Sequence, residues 1–266
     1  MSVQFGIIGG GVMGEALLSR LLVKGLYQPS AVLVSEPQPQ RREFLQAQYG
    51  VSVTGDNQAI VNAAPTVLLA IKPQVFDAVT AGLQQSSQPQ VILSILAGVP
   101  ISRLEAAFPG QPVIRAMPNT PATVGAGVTA LVGGQHTQPN HLQQAKEIFA
   151  AVGEVAEVPE SLMDAVTGLS GSGPGYVAVM IEALIDGGVA VGLPRSIATQ
   201  LAIQTVRGTA ELLQNTGMHP AELKDRVTSP GGTTIAGIAQ LEQAGIRSAL
   251  IEAVRAACRR SQELGQ

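Results

Sequence analysis

The chain has 266 residues, of which 45% are hydrophobic, so one or two packed domains fit and a disordered or fibrous chain does not. Sixteen basic against nineteen acidic residues give a net charge of −3; with 3% aromatics and no tryptophan, a basic nucleic-acid groove with stacking platforms finds no support. One cysteine, Cys258, rules out a disulfide framework and a cysteine-based zinc site.

Met1-Ser2-Val3-Gln4-Phe5 carries no basic stretch and leads into a strand pattern, so a cytoplasmic protein without a signal peptide is expected. Short β-branched runs then alternate with helical patterns, the signature of βαβ units around a parallel sheet. Strands are predicted at 3–9, 31–36, 51–54, 66–71, 90–95 and 112–117. Two more, at 128–132 and 154–158, flank a helix at 140–151 and are expected to close the sheet. In the helix predicted at 12–24, Met13, Leu17, Leu18, Leu21 and Leu22 form an apolar stripe, and Gly25 suits its C-terminal stop. Pro73 suits the first turn of the helix after the fourth strand.

Beyond Pro159 the β-like runs cease. Helices at 174–191, 194–215, 220–227, 233–244 and 246–264 take over, so the chain divides into residues 1–159 and 160–266. The apolar stretch 176–193 contains Glu182 and Asp186, which argues against a membrane span and for a helix covered on most sides. Charged residues make up only 13% of the chain, about half the usual share. Both features point to cover by a second copy.

Gly9-Gly10-Gly11-Val12-Met13-Gly14 lies between the first strand and an amphipathic helix. In that context Gly9 makes the tight turn, Gly11 admits a pyrophosphate to the backbone, and Gly14 lets helix and strand pack closely. The helix N-terminus offers free N–H groups to the anion. Glu36, at the end of the second strand, stands where an acid takes ribose hydroxyls and favours NADH. Arg41 and Arg42, a turn further on, suit a 2′-phosphate instead; a solvated strand-end carboxylate is the third reading of Glu36. Asn57 and Ile71-Lys72-Pro73 follow the third and fourth strands, at the edge where an open α/β sheet places its ligand.

The helical half contains one lysine, Lys224, and one histidine, His219. Reduction of a ketone needs a proton donor for the developing alkoxide, usually His or Lys. An imine can arrive already protonated, and hydride then reaches an activated carbon without a strong enzymic acid. Two polar, glycine-rich segments stand out here: Leu169-Ser170-Gly171-Ser172-Gly173-Pro174 and Ser229-Pro230-Gly231-Gly232-Thr233-Thr234. Each suits a substrate carboxylate through backbone N–H groups. Each also suits ordinary N-capping, by Ser172 and Thr233.

Five blocks occur in order: Ile8-Gly9-Gly10-Gly11-Val12-Met13-Gly14, Ala70-Ile71-Lys72-Pro73, Arg115-Ala116-Met117-Pro118-Asn119-Thr120-Pro121, Gly168-Leu169-Ser170-Gly171-Ser172-Gly173-Pro174, and Leu223-Lys224-Asp225 with Ser229-Pro230-Gly231-Gly232-Thr233-Thr234-Ile235. Together they resemble the Δ1-pyrroline-5-carboxylate reductase family, from residue 3 to about 262. The resemblance implies an α/β Rossmann-type N-terminal domain carrying NADPH or NADH, then an all-helical domain for dimerisation and substrate binding. It implies a homodimer or larger homo-oligomer acting on 1-pyrroline-5-carboxylate, with no metal, nucleic-acid or membrane partner. Carried over by position, Gly9, Gly10, Gly11, Val12, Met13, Gly14, Glu36, Asn57, Ile71, Lys72 and Ala97 line the cofactor site, with Met117, Pro118 and Asn119 near the nicotinamide. Gly231, Gly232 and Thr233 hold the substrate carboxylate, and Thr234, the catalytic candidate, hydrogen-bonds the ring nitrogen.

Two positions depart from the pattern. Relatives preferring NADPH often have a small hydroxyl residue at the position of Glu36, and an uncharged residue often replaces Arg226. The rival β-hydroxyacid dehydrogenase class requires a lysine on the first long helix of the second half, and residues 174–191 contain none. A non-catalytic cofactor-binding regulator would have no need of the 229–234 segment.

Overall fold

The computed structural model describes residues 2–84, 86 and 88–265. Among the described residues eight strands form one sheet: β1 (Phe5–Ile8), β2 (Val32–Ser35), β3 (Ser52–Thr54), β4 (Thr66–Leu69), β5 (Val91–Ser94), β6 (Val113–Met117), β7 (Gly127–Gly133) and β8 (Gly153–Glu157). Their spatial order is β3-β2-β1-β4-β5-β6-β7-β8, and the first six run parallel. Every residue of β1, β4 and β5 is buried, as a sheet covered on both faces requires.

Alternate residues feed two cores. Phe5 and Ile7 pack with Leu17, Leu21, Leu68 and Phe149 on one face, beneath α1 (Val12–Val23), α2 (Pro39–Tyr49) and a later helix, α6 (Pro139–Ala150). Ile8 packs with Ile60, Leu69, Phe76 and Leu104 on the other, beneath α3 (Asn57–Ala63), α4 (Phe76–Ala81) and α5 (Ile101–Ala107). Consecutive crossovers run outward from β1 in both directions, so the strand order reverses between β1 and β4. This leaves a crevice at their C-terminal ends.

The edge of the sheet differs from a plain parallel array. β7 pairs antiparallel with β6, and β8 then runs parallel to β7 through α6. The link between β6 and β7, residues 118–126, is shorter than the dozen or more residues that a parallel crossover needs.

Two compact units result: Met1–Ser172 with Ala256–Gln266, and Gly173–Arg255. After β8 the first unit contains α7 (Met163–Val166), which runs on into a π-helical turn, Thr167–Gly171. The glycine-rich segment here is therefore helical, and Ser172 is not an N-cap. Its N–H donates five residues back, to Thr167 O at 2.8 Å. Pro174 has no N–H for the carbonyl four residues back, that of Ser170, which accepts from Asn119 Nδ2 at 3.1 Å instead.

The second unit is built from α8 (Gly173–Ala190), α9 (Arg195–Thr216), α10 (Pro220–Arg226), α11 (Thr233–Gln243) and the start of α12 (Ile246–Leu264). Hardly any of it is buried. Among the described residues α8 buries none and α9 only Ala198 and Ala202, while Val179 is 66% and Leu201 53% exposed. An apolar helix with no fully buried residue needs cover from elsewhere. No helix among the described residues is long and apolar enough to cross a membrane.

Candidate active site

The glycine turn leaves β1 at Gly9, whose φ of +107° is open to glycine; a Cβ there would lie 2.6 Å from Ala70 O. Gly14, in the first turns of α1, packs against the same turn, where an added Cβ would lie 2.3 Å from Gly9 O. Gly11 behaves differently. It is the N-cap of α1, makes no side-chain cap, and an added Cβ meets nothing within 4 Å. Bare backbone and unpaired helix N–H groups thus face open space, as a pyrophosphate requires.

This turn opens into a cleft of about 320 Å3. Gly9, Gly10 and Gly11 form one wall, Glu36, Pro37, Gln38 and Arg41 the end beyond β2, and Ala70, Ile71, Lys72 and Val75 the side after β4. Six of the expected cofactor residues therefore share one cleft. Val12, Met13 and Gly14 form the α1 turn that opens from it. Asn57 does not line it; its Oδ1 accepts from Ser35 Oγ at 2.6 Å. Ala97 is exposed just past β5, on the same C-terminal edge of the sheet.

Met117 and Pro118 end β6 on that edge, and Asn119 turns out to be a clamp. Its Nδ2 donates to Ser170 O and its Oδ1 accepts the Val128 N–H at 3.0 Å, so both ends of the amide join β6 to the π-helical turn and β7. Met117 Cε also fills the space beside Gly171, 2.6 Å from where a Cβ would be.

Sequence reasoning missed a brace around the turn. Arg41 Nε donates to Gly10 O at 2.7 Å, its Nη2 pairs with Glu15, and Tyr49 OH donates to Glu15 Oε1 at 2.6 Å. Burial pushes the Glu15 carboxyl up, but Tyr49 and Arg41 outweigh it and leave the group below its usual range. Burial, then the bond to Glu15, pushes the Tyr49 hydroxyl up to about 12. No local sequence signal links residues so far apart in the chain.

In the second unit, the 229–234 segment ends on the start of α11. Gly231 has φ +66°, and a Cβ on Gly232 would lie 2.3 Å from Ser229 Oγ. Gly232, not Thr233, is the N-cap, and no side chain caps the helix. The N-capping alternative is therefore not realised, and the first N–H groups of α11 stand beside the Thr233 and Thr234 side chains. The basic residues nearby are otherwise engaged. His219 Nδ1 caps α10 by accepting the Ala221 N–H at 3.2 Å, and Lys224 pairs with Asp225 at 2.7 Å. Arg226, unexplained by sequence, pairs with Glu222 one turn back at 2.8 Å. Among the described residues no cluster of His, Cys, Asp and Glu could hold a metal ion.

A pyrroline-5-carboxylate reductase from Synechocystis sp. is 60% identical over 266 residues, covering 100% of both chains. The chain belongs to the pyrroline-5-carboxylate reductase family. These are NAD(P)-dependent oxidoreductases. The family model for pyrroline-5-carboxylate reductase dimerisation matches residues 160–264, and one for coenzyme F420-dependent NADP oxidoreductases matches residues 4–98. The solved pyrroline-5-carboxylate reductase of Coxiella burnetii superposes with a TM-score of 0.90 at 33% identity, covering 100% of each chain. That of Plasmodium falciparum, solved with NADP bound, gives 0.88 at 27% identity, covering 99% of this chain and 98% of its own. The Rossmann-type first half followed by a helical dimerisation region is thus the architecture of the pyrroline-5-carboxylate reductases.

Proposed function

We propose that this chain reduces the C=N bond of 1-pyrroline-5-carboxylate with NAD(P)H to give L-proline, the last step of proline biosynthesis. The observation that carries the reading is that one chain holds an open glycine turn in its first unit and, in its second, an uncapped α11 start beside Thr233 and Thr234. Residues 1–159 serve nucleotide binding and residues 160–266 serve dimerisation and substrate binding. Gly9, Gly10, Gly11 and the N–H groups of Val12, Met13 and Gly14 hold the pyrophosphate. Glu36, Asn57, Ile71, Lys72 and Ala97 flank the nucleotide, and Met117, Pro118 and Asn119 border the nicotinamide. When bound, the cofactor supplies the hydride.

The N–H groups of Gly231, Gly232 and Thr233 take the substrate carboxylate, and the Thr234 hydroxyl meets the ring nitrogen. Hydride addition at the imine carbon, C2 of the substrate ring and C5 of the proline formed, turns a cationic imine into an amine, so positive charge falls during the step. No new anion needs stabilising, which fits a site whose histidine and lysine are committed elsewhere. Thr234 therefore orients the ring and settles the proton at nitrogen. Its loss costs less than the ~10²–10³ typical of an oxyanion-hole donor. Thr234→Ala is expected to lower kcat about 10-fold or somewhat more, roughly 1.4–2.7 kcal/mol at the barrier. NADPH affinity stays unchanged, and Thr234→Ser keeps most activity. Steady-state kinetics and NADPH titration check this, and an alanine variant with parental turnover would remove the role. The reaction itself is tested by NADPH consumption with 1-pyrroline-5-carboxylate.

The same reading makes the protein a homodimer or larger homo-oligomer, in the cytoplasm, where the lone Cys258 stays reduced. Its support is the exposure of α8 and α9 together with the match of residues 160–264 to a dimerisation domain. Sedimentation at micromolar concentration is expected to show a dimer or larger species. A stable monomer would contradict it.

A further inference from the structure

We infer that Ser261 and Asp164 are positioning residues for the nucleotide, because together they seat the last turn of α12 on the Ala97-Gly98 turn; the inference rests on the reading above, which puts Ala97 beside the nucleotide. Burial along α12 is anomalous. Ser261 is the one buried residue among the described residues of this helix, at 4% exposure. It continues the row Ile246, Leu250, Val254 and Cys258, so a position that is apolar or sulfur-bearing at each earlier turn is here a hydroxyl. A buried hydroxyl needs a partner. Ser261 Oγ donates to Asp164 Oδ1 at 2.6 Å, and the charged acceptor makes this one of the stronger hydrogen bonds.

Leu264 and Gly265, three and four residues on, share the helix face of Ser261. That face meets the turn after β5. Leu96 and Val99, each 1% exposed, anchor the turn, and the Val99 N–H closes it on Leu96 O at 3.5 Å. At its tip Ala97 is exposed and Gly98 is buried. Gly98 has φ +75°, and a Cβ there would lie 3.5 Å from Leu264 Cβ, in ordinary contact. A Cβ at Gly265 would lie 3.1 Å from Gly98 O, so main chain approaches main chain with no side chain between them. The end of α12 thus backs the turn and leaves Ala97 open, on the sheet edge where an α/β fold places its ligand.

Asp164 makes the seat firm. It stands on α7, four residues after Glu160, whose Oε1 accepts the Ile101 N–H at 3.0 Å just past the same turn. Segment 160–164 therefore holds the chain leaving the turn with one carboxylate and the helix behind it with the other. All these residues belong to the first unit, although α12 begins in the second. A turn fixed before the nucleotide arrives loses little freedom on binding it.

Calorimetric titration with NADP+ and amide hydrogen exchange test this on the full-length parent, Ser261→Ala, Asp164→Ala and Asp164→Asn. Either alanine removes the bond. NADP+ affinity is then expected to fall ~3–10-fold, the range of one net hydrogen bond, with faster exchange at Gly98 and Val99. Asp164→Asn keeps an acceptor at Oδ1 and is expected to stay within about 2-fold of the parent. In steady-state kinetics the loss is expected in the KM for NADPH and not in kcat. A lower Tm with parental NADP+ affinity would mean that the bond serves stability alone, and would overturn the inference. So would unchanged exchange at Gly98 and Val99, or an asparagine variant as weak as Asp164→Ala. Should Asp164→Ala not fold, Ser261→Ala carries the test, since it deletes a single oxygen. A parent that binds NADP+ but leaves 1-pyrroline-5-carboxylate unreduced removes the reductase reading, whereas titration and exchange judge the seat.

Discussion

Gly11→Val is expected to weaken NADPH binding at least ~100-fold, about 2.7 kcal/mol, while the protein keeps its fold. The contrast with its neighbours is what makes the result informative. A side chain at Gly9 or Gly14 would strike main-chain oxygen, at 2.6 Å from Ala70 O or 2.3 Å from Gly9 O, so changes there damage the turn itself. At Gly11 the φ of −72° suits any residue, and the added Cβ meets nothing within 4 Å. The open space is the approach to the α1 N–H groups, and an isopropyl group standing in it keeps a pyrophosphate off the backbone. Exchanging glycine for valine at an N-cap costs about 1 kcal/mol, a fall of roughly 2–4 °C in Tm. Titration with NADPH beside a thermal melt separates the two effects. Parental affinity in a folded variant would mean that the pyrophosphate lies elsewhere.

The parallel half of the sheet was legible because every strand is short, β-branched and followed by a helix with its own apolar stripe. The reversal at β7 was not, since strand composition is the same for either direction. The signal was in the link, residues 118–126, which is too short for a crossover. The segment 168–174 reads in sequence as a carboxylate site or an N-cap at Ser172, because glycine and serine dominate it. Its helical state rests on Asn119, which satisfies the carbonyl that Pro174 leaves free and lies far away in the chain. For the same reason the clamp made by Asn119, which the resemblance places near the nicotinamide, could not be read from its position in the sequence. Glu36 was legible as a position, the end of β2, but not as a brace, because its partners are main-chain N–H groups. The pairing of Arg226 with Glu222 follows the i,i+4 spacing and was there to be read.

Glu160→Ala is expected to destabilise the first unit by roughly 3 kcal/mol, whereas Arg115→Met combined with Glu160→Met is expected to be close to neutral. Arg115 sits on β6, in register with Ser94 on one side and Val132 on the other, and only 5% of its side chain is exposed. Its Nη1 donates to Glu160 Oε1 at 2.5 Å, and the same oxygen accepts the Ile101 N–H at 3.0 Å, at the start of α5. One carboxylate thus neutralises a buried guanidinium and ends a helix that lacks a side-chain cap. Removing it leaves the guanidinium charged and enclosed. The usual range for breaking a buried pair is about 3–5 kcal/mol, and the Glu160 side chain is 32% exposed, so water relieves part of the loss and the lower end applies. The pair itself is not optimal. Oε2 of Glu160 is buried with no hydrogen-bond partner among the described residues, so desolvation offsets much of the attraction. Apolar side chains of similar length in both positions remove the charge, the orphan oxygen and the cavity together. Urea midpoints of Arg115→Met, Glu160→Met and the double, at constant m, give the coupling as a double-mutant cycle, with Glu160→Ala measured beside them. A double variant as unstable as Glu160→Ala would mean that the loss lies at Ile101 and the α5 terminus and not in the stranded Arg115 charge.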